Sequence, residues 1–159
     1  MVDERNLKRA DSVFNSICKM MDDNNWEYDA DSESLSILIS FQKETLPVDL
    51  QISILSDREL VFIISKLPIE VPKKARIDMA CAVSILNYAI NFGCFDYDIN
   101  SGIVKFRLTT SYANSIISPN ALHDMILTAV TSIEQVNDKL KAIADLEMTA
   151  QEFYDFMRK

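Results

Sequence analysis

The sequence predicts an α+β fold, ordered helix, three strands, helix, two strands, helix (α-β-β-β-α-β-β-α), with an antiparallel sheet packed by helices. Three observations predict it. Apolar residues recur at spacings of three and four in a first, a middle and a last stretch, as helices with a buried face require. Between these stretches apolar and polar residues alternate singly, as strands with one face in a core require. The links inside each group of strands are short, which leaves only antiparallel neighbours.

The middle helix, expected over Val71 to Gly93, constrains the architecture most. Ala75, Met79, Ala82, Val83, Leu86 and Ile90 form one apolar face, and Ile77, Cys81, Ile85, Tyr88 and Phe92 form a second, nearly opposite. The polar stripe between them, Lys73, Arg76, Ser84, Asn87 and Asn91, is too narrow for a helix that rests on the surface of its own domain. Burying a large apolar side chain is worth roughly 1.5 to 3 kcal/mol. The second face is therefore expected to be covered, either by another layer outside the domain or by the chain's other helices.

Taken in order, the chain opens with a helix whose stripe is Leu7, Ala10, Phe14, Ile17 and Met21, with Asp3 and Glu4 at the positive end of its dipole. Asp22 to Asn25 stop it, Trp26 to Tyr28 read as extended, and Asp29 to Ser34 as a polar turn. Leu35, Ile37, Ile39 and Phe41 then alternate with polar residues, and after Pro47 so do Val48, Leu50, Ile52 and Ile54. The tight link Ser56 to Glu59 leads to Leu60 to Ser65, apolar on both faces, which places it near the middle of the sheet with something on its second face too. Pro68 and Pro72 close that strand and open the middle helix, and Gly93 stands where a C-cap glycine belongs.

Phe95, Tyr97 and Ile99, a turn at Asn100 to Gly102, and Val104, Phe106 and Leu108 make a second hairpin. The run Tyr112 to Ser118 has no clear pattern, but Ser118 before Pro119 is a helix start. A single long helix is expected from there, its stripe Leu122, Ile126, Ala129, Ile133, Val136, Leu140 and Ile143, lying along the sheet. Thr149 and Glu152 have capping-box spacing before Phe153, Phe156 and Met157, so a short last helix docks by its aromatic side. The domain is expected over 1–144 with a helical tail over 145–159, either a lid over the core or a segment that a partner displaces.

Composition excludes several functions. The 159 residues fit one domain, and a net charge of −8, with 24 acidic against 16 basic residues, argues against nucleic acid and anionic membrane as partners. The opening MVDERNLKRADS lacks the apolar core of a signal peptide, and the longest apolar run is too short for a bilayer, so a cytoplasmic location is expected. Cys18, Cys81 and Cys94 are widely spaced in apolar patterns and read as buried free thiols. Asp96, Asp98 and Asn100 begin like a calcium loop, but glycine comes late at Gly102 and Arg107 stands where the bidentate Glu belongs. Asp29, Asp31 and Glu33 lack both glycine and a distal Glu, so both stretches read as hairpin turns. His123 has no second ligand at metal spacing, and no nucleophile motif, phosphate loop or dinucleotide fingerprint is present. No catalytic, cofactor or metal residue is assigned, and no enzyme activity is expected.

The segment NNWEYDADSESLSILISF, the Val71-Pro72 pair before the middle helix and the block LNYAINFGCFDYDINSGIVKFR together resemble the YbjN-like family, bacterial proteins described as sensory transduction regulators. Within that block Leu86, Asn87, Gly93, Phe95, Asp96, Gly102, Val104 and Arg107 carry the likeness, which runs from about Asn6 to Ile143. The resemblance implies a type III secretion chaperone-like fold. It also implies a homodimer whose middle helix makes the interface, which would assign Ile77, Cys81, Ile85, Tyr88 and Phe92 to it, and a protein or peptide client. The function expected is a non-enzymatic, homodimeric protein-binding module, chaperone-like or regulatory. A small-ligand sensor holding a metabolite between sheet and long helix is the alternative.

Overall fold

The computed structural model describes residues 4–158, so Asp3, expected at the first helix's positive end, lies outside the described residues. The chain runs α1 (Glu4–Asp23), β1 (Asp29–Asp31), β2 (Ser36–Phe41), β3 (Val48–Leu55), β4 (Leu60–Lys66), a 3-10 turn (Lys73–Ala75), α2 (Arg76–Ala89), β5 (Cys94–Asp98), β6 (Ile103–Ser111), α3 (Pro119–Glu134), α4 (Asn137–Ala144) and α5 (Ala150–Met157). The strands form one antiparallel sheet in the order β1-β2-β3-β4-β6-β5. β4 is thus interior, where its two-sided apolar pattern put it, but among the described residues the layer expected on its second face is missing: Phe62 and Ile64 are half-buried on a sheet face that no helix covers.

Alternation sorts each strand between two environments. Ile37, Ile39, Leu50, Ile52, Ile54, Val61, Ile63, Val104, Phe106 and Leu108 are buried in one core with the inward stripes of the helices. α1 and α3 contact each other and β3, α3 also contacts β6, and α2 rests on β5, α4 and α5. The intervening strand residues, among them Leu38, Gln51, Phe62, Ile64, Lys105 and Arg107, keep access to solvent on the other face of the sheet.

The structure corrects the expected elements in four places. A sixth strand, β1, lies where a polar turn was expected, pairing Asp29, Ala30 and Asp31 with Leu38, Ile37 and Ser36. Its pairing uses backbone groups alone and all its side chains are exposed, so no apolar alternation marks it. The turn is tighter than expected: the Asp31 carboxylate accepts from the Glu33 N–H at 2.9 Å and the Ser34 hydroxyl at 2.7 Å.

The middle helix stops at Ala89, and Ile90 is already extended. Gly93 is no helix cap. It turns the chain into β5 with φ +77°, and a Cβ there would meet the Phe106 ring and lie 2.9 Å from the Arg107 carbonyl.

The expected single long helix is two helices, α3 and α4, broken at Gln135 and Val136, where Val136 has φ −131°. The apolar stripe hides the break because Ile133, Val136, Leu140 and Ile143 are buried on both sides of it. The change of direction carries α4 onto α2.

The thiols are not all buried: Cys18 and Cys94 are half-buried and Cys81 is exposed, because it stands on the face of α2 that the chain leaves open.

Other signals read as expected. The Ser118 hydroxyl accepts from the Ala121 N–H with Pro119 at the first helical position. Thr149 and Glu152 form the capping box of α5, whose Phe153 is fully buried. The α5 amide of Ala150 donates to the Asp78 carboxylate on α2 at 3.1 Å, and the Lys139 ammonium lies 5.4 Å from the Phe156 ring centroid.

Candidate protein-binding surfaces

α2 is the element the sequence singled out, and its two faces have different fates. Ala75, Met79, Ala82, Val83 and Leu86 are buried, while Ile90 is half-buried just past the helix end. On the other side Ile77 is 67% exposed, Tyr88 95% and Phe92 63%, with Cys81 exposed and Ile85 half-buried between them. The chain's other helices, one of the two covers considered above, do not supply this one. The row carries no charge, so apolar surface of any partner can meet it without stranding an ion.

α2 also guards the sheet's edge. The Asn87 amide donates to the Phe95 carbonyl at 2.8 Å, and its oxygen accepts from the Phe95 N–H at 2.8 Å. One side chain thereby occupies a backbone pair of edge strand β5 that would otherwise be open to a further strand. Replacing Asn87 by alanine leaves both groups without their partners. A loss of about 1 to 2 kcal/mol is expected, read as a lower urea midpoint at unchanged slope.

The second open surface is the helix-free face of the sheet. Leu38 is 53% exposed, and Phe62, Ile64 and Ile103 are half-buried, set among Gln51, Lys66, Lys105, Asp96 and Arg107. A shallow groove of about 630 Å³ runs past Leu38, Asp49, Gln51, Ile64, Lys66 and Lys105. A second of about 410 Å³ adjoins it along Phe62, Ile64, Ile103 and Arg107. The Arg107 guanidinium grips Asp96 with two bonds, Nε at 2.7 Å and Nη2 at 3.0 Å, and holds that carboxyl below the usual carboxylate range. Burial, with the Asp96 charge beside it, pushes the Cys94 thiol up, away from a reactive thiolate.

Asp31, Asp98 and Glu152 are likewise lowered, each by the hydrogen bonds of its own turn or cap. A carboxyl with a lower pKa folded than unfolded adds stability above its unfolded pKa and loses it as pH falls through its folded value. Urea midpoints are therefore expected to fall as pH drops below about 4, and Arg107→Met should flatten the part of that decline due to Asp96.

Of the residues assigned from sequence, Ile77, Cys81 and Tyr88 are exposed on α2, Ile85 is half-buried between them, and Phe92 is exposed beyond the helix end at Ala89. The sheet face was half seen: two-sided β4 signalled it, but Leu38 in a cleanly alternating strand gave no sign. Among the described residues no group of three His, Cys, Asp or Glu side chains could hold a metal ion, and no helix is long and apolar enough to cross a membrane.

By sequence, no family model and no curated protein matches this chain. By structure, several solved proteins do, among them the following three. YbjN from E. coli, described as a proposed transcription regulator, superposes with a TM-score of 0.58 at 13% identity, covering 83% of this chain and 92% of that one. The ExsC–ExsE complex gives 0.60 at 12% identity, covering 81% and 93%. The HopA1–SchA chaperone–effector complex gives 0.55 at 16% identity, covering 87% and 99%. At such identities the likeness is one of fold: the chain has the YbjN-like, type III secretion chaperone-like α+β architecture.

Proposed function

We propose that this chain is a non-enzymatic protein-binding module, chaperone-like or regulatory, that works as a homodimer. Ile77, Cys81, Ile85, Tyr88 and Phe92 are the surface on which two copies meet, and the helix-free face of the sheet takes a segment of another protein. The observation that carries the reading is the outer face of α2, which leaves Ile77 and Tyr88 largely exposed, with Phe92 exposed just past the helix end, while the helix's other face is buried. In a two-fold dimer the same patch serves both copies, and an uncharged row meets its own copy without like-charge repulsion. Two of the solved structures of this fold are complexes, one of them named as chaperone with effector, which supports a protein as the partner.

The alternative, a metabolite held between sheet and α3, is less well supported. Leu122, Ile126, Ala129, Val130 and Ile133 of α3 are buried in the same core as the sheet's inner residues.

Light scattering across a dilution series tests the dimer. A stable mass of twice 18.1 kDa is the expected result, and a monomer at every concentration rejects self-association through α2.

A further inference from the structure

The open sheet face carries two like charges that the ion pairs among the described residues leave free. Lys66 of β4 and Lys105 of β6 are directly paired across the two strands, so like charges stand side by side on one face. Such a pair opposes sheet formation. β4 and β6 are interior strands, so the pair does not serve to guard an edge.

The neighbouring carboxylates, Asp49 and Asp96, offset the pair only in part. Asp96, opposite Lys105, is held in the two-bond grip of Arg107, and Lys105 acts on it only at a distance. Asp49, which shares the groove with Lys66, accepts the Ser40 hydroxyl at 2.6 Å. Among the described residues Lys66 and Lys105 make no ion pair, although the chain has an excess of acidic residues to offer them. Ile64 lies two residues from Lys66, opposite Gln51 and Arg107, and exposed Leu38 lies opposite Gln51, so apolar surface adjoins the pair.

Resting on the reading of this face as a client surface, we infer that the bound segment presents an aspartate or glutamate carboxylate between Lys66 and Lys105, with apolar residues beside it on Ile64 and Leu38. A carboxylate there relieves the repulsion of the pair and gains a charge-assisted bond from each ammonium. The overall negative charge of the chain opposes the approach of any acidic segment, so the preference is local and is read against a long-range field of the wrong sign.

The test measures fluorescence anisotropy of labelled synthetic peptides alternating leucine with glutamate, with serine or with lysine. The glutamate peptide is expected to bind most tightly. The double substitution Lys66→Gln, Lys105→Gln should weaken it by roughly fivefold to thirtyfold while leaving the serine peptide unchanged. The melting temperature of that variant should not fall, since it removes a repulsion. Serine or lysine peptides binding as well as the glutamate peptide would overturn the inference, as would a glutamate affinity indifferent to the two lysines. Leu38→Ser separates the two readings. If it weakens every peptide but glutamate has no advantage, the client surface stands and the carboxylate falls. If no peptide binds, or none responds to Leu38→Ser, both fall.

Discussion

Glutamate at both Ile77 and Tyr88 is expected to turn a dimer into monomers while leaving the fold intact. In the single chain these side chains are 67% and 95% exposed, so their replacement should change monomer stability by no more than about 0.5 kcal/mol. In a two-fold dimer each substitution counts twice, and each new carboxylate is pressed against apolar surface without a partner. A penalty of about 3 kcal/mol or more follows, upward of a hundredfold in the dimer dissociation constant. Light scattering reads the mass and urea unfolding the fold. An unchanged dimer mass would remove this face of α2 from the interface. Ile85 is the less discriminating site: it is half-buried against the core, so a charge there is expected to give monomers or aggregate.

Phe153→Ala is expected to cost about 3 to 5 kcal/mol, a large part of the stability of a domain this size. Phe153 is fully buried, on a helix of only eight residues that could not hold itself together in isolation. What holds α5 is its packing on α2, the capping box of Thr149 and Glu152 and the bond from Ala150 to Asp78. Removing the ring leaves a cavity that these polar contacts cannot close. If the tail is a lid over the core, the whole transition shifts and the amides of Phe153 to Met157 exchange slowly in the native protein. If it is a segment released as a unit, those amides exchange rapidly and the global midpoint barely moves, which would reverse the assignment.

Much of the architecture was legible because it is written in periodicity. Strands with one face in the core and helices with one stripe announced themselves, and the Ser118-Pro119 and Thr149-Glu152 caps fixed two helix starts closely. The misses share a cause. β1 buries no side chain, and the break at Val136 leaves the apolar stripe continuous, so neither disturbs a pattern of apolar residues. Gly93 reads from sequence as a helix cap but turns the chain into β5, because a turn into a strand and a helix cap both ask glycine for a positive φ.

By itself, then, the sequence determined the α+β order, most of each helix's inward stripe, with Leu7 of α1 left 43% exposed, and the existence of a second apolar face on α2, since each depends only on the spacing of residues along the chain. Tertiary structure alone decided that this face stays uncovered. It also decided that Asn87 closes the edge of β5, and that Lys66 and Lys105 stand side by side beside Ile64. Those facts depend on strand register and on where α4 and α5 come to rest, long-range pairings that no local period of the chain encodes.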